Sequence, residues 1–446
     1  MYVETVAPLR GRLARGLGGL LALMTASVPC AWASPEIQHW QTDNGAQVYF
    51  VHAGDLPMVD VRVVFHAGSA RDHGNAGLAR LTNQVLFLGA DGLSADQIAE
   101  RFDAVGAGVG NGSERDMAWV SLRSLTRPES LGPALETLAQ VLAQPEFPAA
   151  DFERERKHAL VAIEQQKQSP EAVAERAFYA ALYGDHPYAS PPLGTAASVK
   201  ALTREDLRTF YRRYYVGRNA VVAVVGDLSR TEAQQLAQRL VGGLAAGEAA
   251  PHLPKVEPLA RPRTIRIPHP SSQTTVLIGQ PGDYRGDPDY FPLYLGNHVL
   301  GGGGLVSRLN DAVREQRGLA YSVYSYFVPM ARKGPFLMGT QTRNDQTGHA
   351  IDVMRKVLAR FVSDGPTAKE LSAAKKNLTG GFPLRIDSNR KIVQYLAMLG
   401  FYGLPLDYLD RFTDRIGAVT AGQIRSAFRR RVDPKRMVTV IVGGAG

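Results

Sequence analysis

The sequence predicts a mixed α+β (α/β) protein of two homologous domains, and three observations carry that prediction. Short apolar runs alternate with long amphipathic stretches throughout, which excludes an all-β sandwich and a helical bundle. The pattern occurs twice: Arg218-Asn219-Ala220 leads into the apolar run 221–226, and Lys435-Arg436-Met437 leads into the run 438–443. Between the copies, residues 242–263 are rich in Gly, Ala and Pro and lack helical periodicity, as a linker does.

Composition permits this architecture. The 446 residues allow two or more domains at about 100–200 residues each. With 45% hydrophobic and 21% charged residues the chain can fill ordinary cores, so general disorder is excluded. Lys and Arg exceed Asp and Glu by 51 to 42. No block of five or more like charges concentrates that excess, so no nucleic-acid partner is expected.

The amino terminus reads as an export leader, 1–33. Arg10, Arg12 and Arg15 form a basic region, residues 17–28 are apolar and small, and Ala31-Trp32-Ala33 supplies a cleavage site. A mitochondrial presequence is disfavoured by the continuous apolar core and by Glu4. Cys30 is the single cysteine, so cleavage leaves a thiol-free chain without disulfides, thiolate catalysis or cysteine metal sites. No later segment has about 18 uninterrupted apolar residues, so no stable membrane span is expected. The expected location is secreted and periplasmic.

Along the mature chain, a first domain is expected over 35–241 and a second over 264–446, with strands 59–65 and 274–279 opening them. Helical stretches at 201–214 and 418–430 repeat with the same separation as the two apolar runs, and Tyr183-Gly184 answers Tyr402-Gly403 at nearly that separation. Residues 75–89 have helical spacing, with Leu78, Leu81, Val85 and Leu88 on one face and Gly89 as the stop. Arg80, Asn83, Gln84 and Phe87 share another face.

This helix, with His66-Ala67-Gly68-Ser69-Ala70-Arg71-Asp72 before it and Gly77-Leu78-Ala79 and Leu86-Phe87-Leu88-Gly89 within it, resembles the amino-terminal half of the pitrilysin/insulinase-like (M16) zinc metallopeptidases. In that family the helix carries H-x-x-E-H, two imidazole ligands on one helical face and a glutamate that deprotonates metal-bound water. The corresponding positions here are Arg80, Asn83 and Gln84. A guanidinium has no lone pair to donate, and an amide is no general base. The resemblance also aligns Glu164 with the distal glutamate ligand, Glu155 being the less favoured register. The expected state of Glu164 is solvated or paired with Arg80. A salvage set of His66, His73 and Glu164 is disfavoured because the two histidines are seven apart with no shared helical face. His186-Pro187-Tyr188, followed by Gly194, is expected to be a structural turn.

The second half resembles the family more fully. The glycine run 301–304 precedes Leu305-Val306-Ser307-Arg308-Leu309, then Val313-Arg314-Glu315-Gln316-Arg317-Gly318-Leu319-Ala320-Tyr321-Ser322-Val323-Tyr324. No Gly-Lys-Ser/Thr follows the glycines, so they are expected to form a hinge and not a phosphate loop. The mitochondrial processing peptidase's non-catalytic subunit has a longer glycine loop near here, which this chain lacks. The resemblance implies that Arg314 and Tyr321 grip substrate, with Arg317 as a rival donor. It further implies a clamshell half acting as the non-catalytic subunit of a heteromeric zinc peptidase. Such a chain binds peptide, holds no metal itself and pairs with a zinc-bearing subunit in a heterodimer. Two alternatives stay open: an autonomous zinc peptidase with an unrecognised site, and a purely structural or peptide-binding protein.

Overall fold

The computed structural model describes residues 36–444. The expected leader lies outside the described residues. The first half begins with β1 (Gln38–Gln41), β2 (Gln47–His52), β3 (Met58–Phe65), α1 (Leu78–Val85) and a small hairpin, β4 (Gly89–Ala90) and β5 (Leu93–Ser94). It continues with α2 (Ala95–Ala104), β6 (Gly108–Ser113), β7 (Ala118–Leu125), α3 (Pro128–Ala143), α4 (Ala149–Gln166) and α5 (Pro170–Tyr183). Helices α6 (Ala196–Ala201) and α7 (Arg204–Tyr214), strand β8 (Ala220–Gly226) and α8 (Arg230–Val241) complete it.

The second half opens with β9 (Arg263–Ile267), β10 (Gln273–Pro281), α9 (Tyr290–Asn297) and the single turn α10 (Arg308–Asn310). Then follow β11 (Val323–Phe327), β12 (Pro335–Arg343), α11 (Thr347–Asp364), α12 (Ala368–Gly380) and α13 (Asn389–Tyr402). Helices α14 (Phe412–Ala418) and α15 (Ala421–Arg431) precede β13 (Val438–Val442).

The two sheets share a five-stranded topology, to which β1 adds a sixth strand in the first. The first has the order β1-β2-β8-β3-β7-β6 and the second β11-β12-β10-β13-β9. In each, one parallel pair (β2 with β8, β9 with β13) continues into an antiparallel ladder. The fold is thus a mixed α+β duplication. The expected openings at 59–65 and 274–279 need correcting, because β2 and β9 precede those strands and belong to the shared motif. Strand β9, Arg-Thr-Ile-Arg-Ile, lies at a sheet edge with exposed alternate positions, so its apolar signal is short and diluted.

Both central strands are apolar on both faces because both faces are covered. In β8, Val222 and Val224 face the core formed with α3, α7 and α8. Val221, Ala223 and Val225 face the opposite way, into a core that includes Val393, Leu396 and Ala397 of α13. Helix α13 comes from the second half and crosses β2, β3 and β8. Reciprocally, α5 of the first half lies on β10 and β13, where Phe178 and Leu182 join Val438, Val440 and Val442. The contacts leave no spare room. A Cβ on Gly400 would come within 2.5 Å of Tyr49 and Val221, and one on Gly279 within 2.8 Å of Phe178.

Each exchanged helix ends in a tyrosine that reaches a hairpin of the other half. Tyr183 Oη donates to the Lys333 carbonyl (3.1 Å), between β11 and β12, and Tyr402 Oη to Asp116 Oδ2 (3.0 Å), between β6 and β7. Asp116 also accepts from Tyr188 Oη (2.6 Å) and the Ala331 amide (2.7 Å). The segment between the halves packs as well, with Leu253 and Val256 buried and the Leu253 carbonyl accepting from Arg332 Nε (2.7 Å).

Asp116→Ala leaves two buried hydroxyls and one amide without their acceptor and is expected to lower the free energy of unfolding in urea by about 3 kcal/mol. Tyr402→Phe, which removes a single bond, should cost about 1 kcal/mol. Equal losses for the two variants would refute the hub role of Asp116.

Candidate functional site

Helix α1 is placed by its amino-terminal contacts. The buried Asp72 carboxylate accepts from the Gly77 amide (2.9 Å, Oδ2) and the Ala79 amide (2.8 Å, Oδ1), which serves free N–H groups of the first turn. Burial opposes these bonds and pushes the Asp72 carboxyl up to about 7. Gly77 sits at φ 95°, and a Cβ on Gly194 would lie 2.5 Å from the Ala76 carbonyl oxygen. The chain before α6 can therefore cross directly over the start of α1. His186 belongs to the same region. Its Nδ1 accepts from the Tyr188 amide (3.1 Å) and its Nε2 bonds to the Pro254 carbonyl (3.1 Å), so it holds a turn.

From that start, Leu78, Leu81 and Val85 enter the core while Arg80 and Gln84 remain partly exposed. Asn83 does not project into a cleft. It is fully buried, its Nδ2 bonded to Tyr215 Oη (3.2 Å) and the Trp119 carbonyl (3.3 Å). Its backbone carbonyl accepts from Asn111 Nδ2 of β6 (2.6 Å), which ties α1 to the sheet edge. Sequence spacing grouped Asn83 with Arg80 and Gln84, but the tyrosine that encloses it comes from the end of α7, far along the chain, and carried no local signal.

On α4, Glu164 is exposed and bonded to Lys167 Nζ (2.8 Å). Glu155 lies beside His158 (3.4 Å) and Arg154 (3.5 Å) of its own helix. Of the two expected states of Glu164, it has the solvated one. The donor set of Arg80, Asn83, Gln84 and Glu164 does not fit zinc: one member is a permanent cation, one an enclosed amide, and one a carboxylate already paired. His66 stacks on Phe401 of α13 (ring centroids 4.1 Å), whereas His73 Nε2 bonds to Tyr214 Oη (2.6 Å). The two histidines thus have separate partners. Among the described residues no three His, Cys, Asp or Glu side chains gather as a metal site.

The second half presents a different surface. The glycine run 301–304 spans a π-helical turn (His298–Gly302) and a 3₁₀ turn, and it abuts β11, where a Cβ on Gly301 would lie 2.5 Å from Ser325 Oγ. Asn297 and Ser325 fix that approach by two hydrogen bonds, 3.0 and 2.6 Å. Arg314 follows on a second π-helical turn (Asp311–Glu315), and Gly318 at φ 59° reverses the chain. The returning segment is held to β12 by Thr342 Oγ1 on the Leu319 carbonyl (2.6 Å) and Thr340 Oγ1 on the Ser322 carbonyl (2.8 Å).

Between these anchors Tyr321 is 85% exposed, and the Arg314 guanidinium stands 4.9 Å from its ring centroid. Arg314 Nε also lies 3.4 Å from Glu315. Arg317, the rival donor, is engaged with the Ala312 carbonyl (2.8 Å) and Gln316 Oε1 (3.0 Å). The structure therefore brings Arg314 and Tyr321 together on an exposed turn, the guanidinium over the face of the phenol ring.

Residues 48–196 match the insulinase (peptidase family M16) family, and residues 201–378 match the peptidase M16 inactive domain. The crystal structure of a peptidase M16 inactive domain from Pseudomonas fluorescens is 40% identical in sequence. It covers 91% of this chain and 97% of that one, with a TM-score of 0.89. The chain belongs to peptidase family M16. Within M16 it is similar to proteins with two kinds of name. An uncharacterized zinc protease of Mycobacterium leprae is 29% identical over 90% of each chain. A non-peptidase homolog of Helicobacter pylori is 26% identical over 87% of this chain and 89% of its own. Arg80, Asn83 and Gln84 lie within the stretch that matches the insulinase family, and the inactive-domain match begins beyond them, at residue 201.

Two measurements probe this helix and its surroundings. Asn83→Glu forces a carboxylate into a fully enclosed position and is expected to cost at least about 2 kcal/mol by urea unfolding, a loss that Gln84→Glu should not show. For His66, burial and the Arg71 charge lower the imidazole pKa to about 4. The unfolded chain takes up that proton near 6.5, so the stability of the neutral form is complete above that pH and drains as pH falls towards 4. Between pH 7 and 4 the wild type should lose about 2–3 kcal/mol relative to His66→Phe, and parallel stability curves would contradict the assignment.

Proposed function

We propose that this chain is the non-catalytic subunit of a heteromeric zinc peptidase. It would be exported to the periplasm, where it contributes chamber wall and the Arg314/Tyr321 pair to a zinc-bearing M16 partner. One observation carries the reading: donors are pre-arranged and exposed on the second half, whereas the first half has given up the means to hold a metal. The partner would supply the His-Glu-His site. In that shared chamber Arg314 would donate directed hydrogen bonds to a peptide carbonyl oxygen and Tyr321 would add a third, which favours the charge that develops on that oxygen. Because the turn is pinned through Thr340 and Thr342, little ordering remains to be done when substrate arrives.

A second reading, peptide binding without a catalytic partner, is favoured by β6. This strand, Gly108–Ser113, forms the edge of the first sheet, and three of its six residues are glycine. A Cβ at Gly108 would meet nothing within 4 Å. An extended peptide can add to such an edge through main-chain hydrogen bonds.

Reconstitution with a zinc-bearing M16 chain separates the readings. Arg314→Ala should lower turnover of the reconstituted pair about 100-fold while its zinc content stays constant. Tyr321→Phe should lower it less. Unchanged turnover in Arg314→Ala would remove the catalytic contribution, and peptide binding without any activity in the pair would favour the second reading.

A further inference from the structure

The arginine at the first lost ligand position opens a question that loss of zinc does not answer. Arg80 lines a cleft of about 170 Å³, together with Arg115 from the β6–β7 turn, Arg176 and Tyr179 of α5, and the Pro191–Pro192 wall. A single carboxylate, the exposed Glu175, shares this lining, so the cleft holds a formal excess of two positive charges.

Arg115 is held in place, and none of the three arginines is neutralised by an ion pair among the described residues. Arg115 Nε donates to the Tyr188 carbonyl (3.2 Å), and its guanidinium lies 3.4 Å from the centroid of the buried Tyr179 ring, a position in which it cannot swing away. Arg80 Nε is buried and has no hydrogen-bond partner. The α4 carboxylates that stand nearest in sequence logic, Glu155 and Glu164, are occupied on their own helix. Buried donors without acceptors and clustered like charges both cost stability, and an incoming anion would relieve both.

We propose that this cleft is a carboxylate-binding site for a peptide ligand. Guanidinium groups match a planar carboxylate through paired parallel hydrogen bonds. The small volume suits one carboxylate, and the apolar remainder of the wall suits a peptide stem. Strand β6 ends at Ser113, just before Arg115, so a segment added along that open edge has one end at the cleft. The carboxylate would come from an acidic side chain or from a peptide's C-terminus. The site is complete within this chain, so it stands whether or not the zinc-bearing partner exists.

Calorimetric titration of the isolated chain at low salt tests it with three pentapeptides of otherwise equal sequence. One carries a glutamate with both ends blocked, one is neutral with a free C-terminus, and one is neutral with both ends blocked. Either of the first two should bind at least about tenfold more tightly than the third, and which one does so identifies the source of the carboxylate. The preference should fall about tenfold in Arg80→Gln and in the exposed Arg176→Gln, and should weaken between about 50 and 500 mM salt. Equal binding of all three peptides, no binding of any, or an undiminished preference in a folded Arg176→Gln would overturn the proposal.

Discussion

Two helices exchanged between two sheets set the conditions for everything else in this molecule. A sheet whose central strands are apolar on both faces needs cover on both, and each half supplies only one cover from its own sequence. The other comes from across the molecule: α13 for the first sheet and α5 for the second. Fully burying a residue such as Phe178 or Leu396 contributes about 1.5–3 kcal/mol, and each helix buries several. Neither half has a closed core without the other. The tyrosines that finish the exchanged helices then fasten the two opposite hairpins, with Asp116 collecting three bonds on one of them.

In that arrangement helix α1 is held in place without any metal-ligating side chain on its outward positions. Helix α1 is placed by Asp72, by the close crossing at Gly77 and Gly194, and by three apolar residues in the core. These groups fix the helix without help from its outward positions, Arg80 and Gln84. Asn83 is not one of those positions: its amide is a buried structural member, bonded to a tyrosine and to the neighbouring strand. A catalytic glutamate needs access to water, and this position is fully enclosed.

Much of this was legible in the sequence, and the limits have physical causes. The repeated runs 221–226 and 438–443 correspond to β8 and β13, central strands whose two apolar faces make them conspicuous. The matching pairs Tyr183-Gly184 and Tyr402-Gly403 mark the ends of the two exchanged helices. Nothing local says that they are exchanged, because which sheet a helix covers is decided by partners in the other half of the chain. Strand β9 escaped notice since an edge strand needs only half an apolar pattern. For Arg80 the residue type alone says that this side chain is no zinc ligand. Its companions Arg115 and Arg176 come from other elements, and only the fold brings them together.

Arg80 also differs in kind from the other two losses. Asn83 and Gln84 are neutral, and a neutral side chain at a disused site can be absorbed by the core or left to water. A guanidinium cannot be neutralised by losing its proton, and the Nε of the partly exposed Arg80 is buried without a hydrogen-bond partner. If it served stability alone, a carboxylate beside it would be the simplest solution, and α4 carries glutamates within a few turns. Those glutamates face lysine, histidine and arginine of their own helix instead. Other part-buried arginines of the scaffold have carboxylate partners, as at Asp60–Arg123, Arg308–Glu370 and Asp287–Arg431, whereas Arg80 has none among the described residues. In the proposed site an incoming carboxylate supplies negative charge beyond that of Glu175, the single acid of the cleft lining, which does not balance the three arginines.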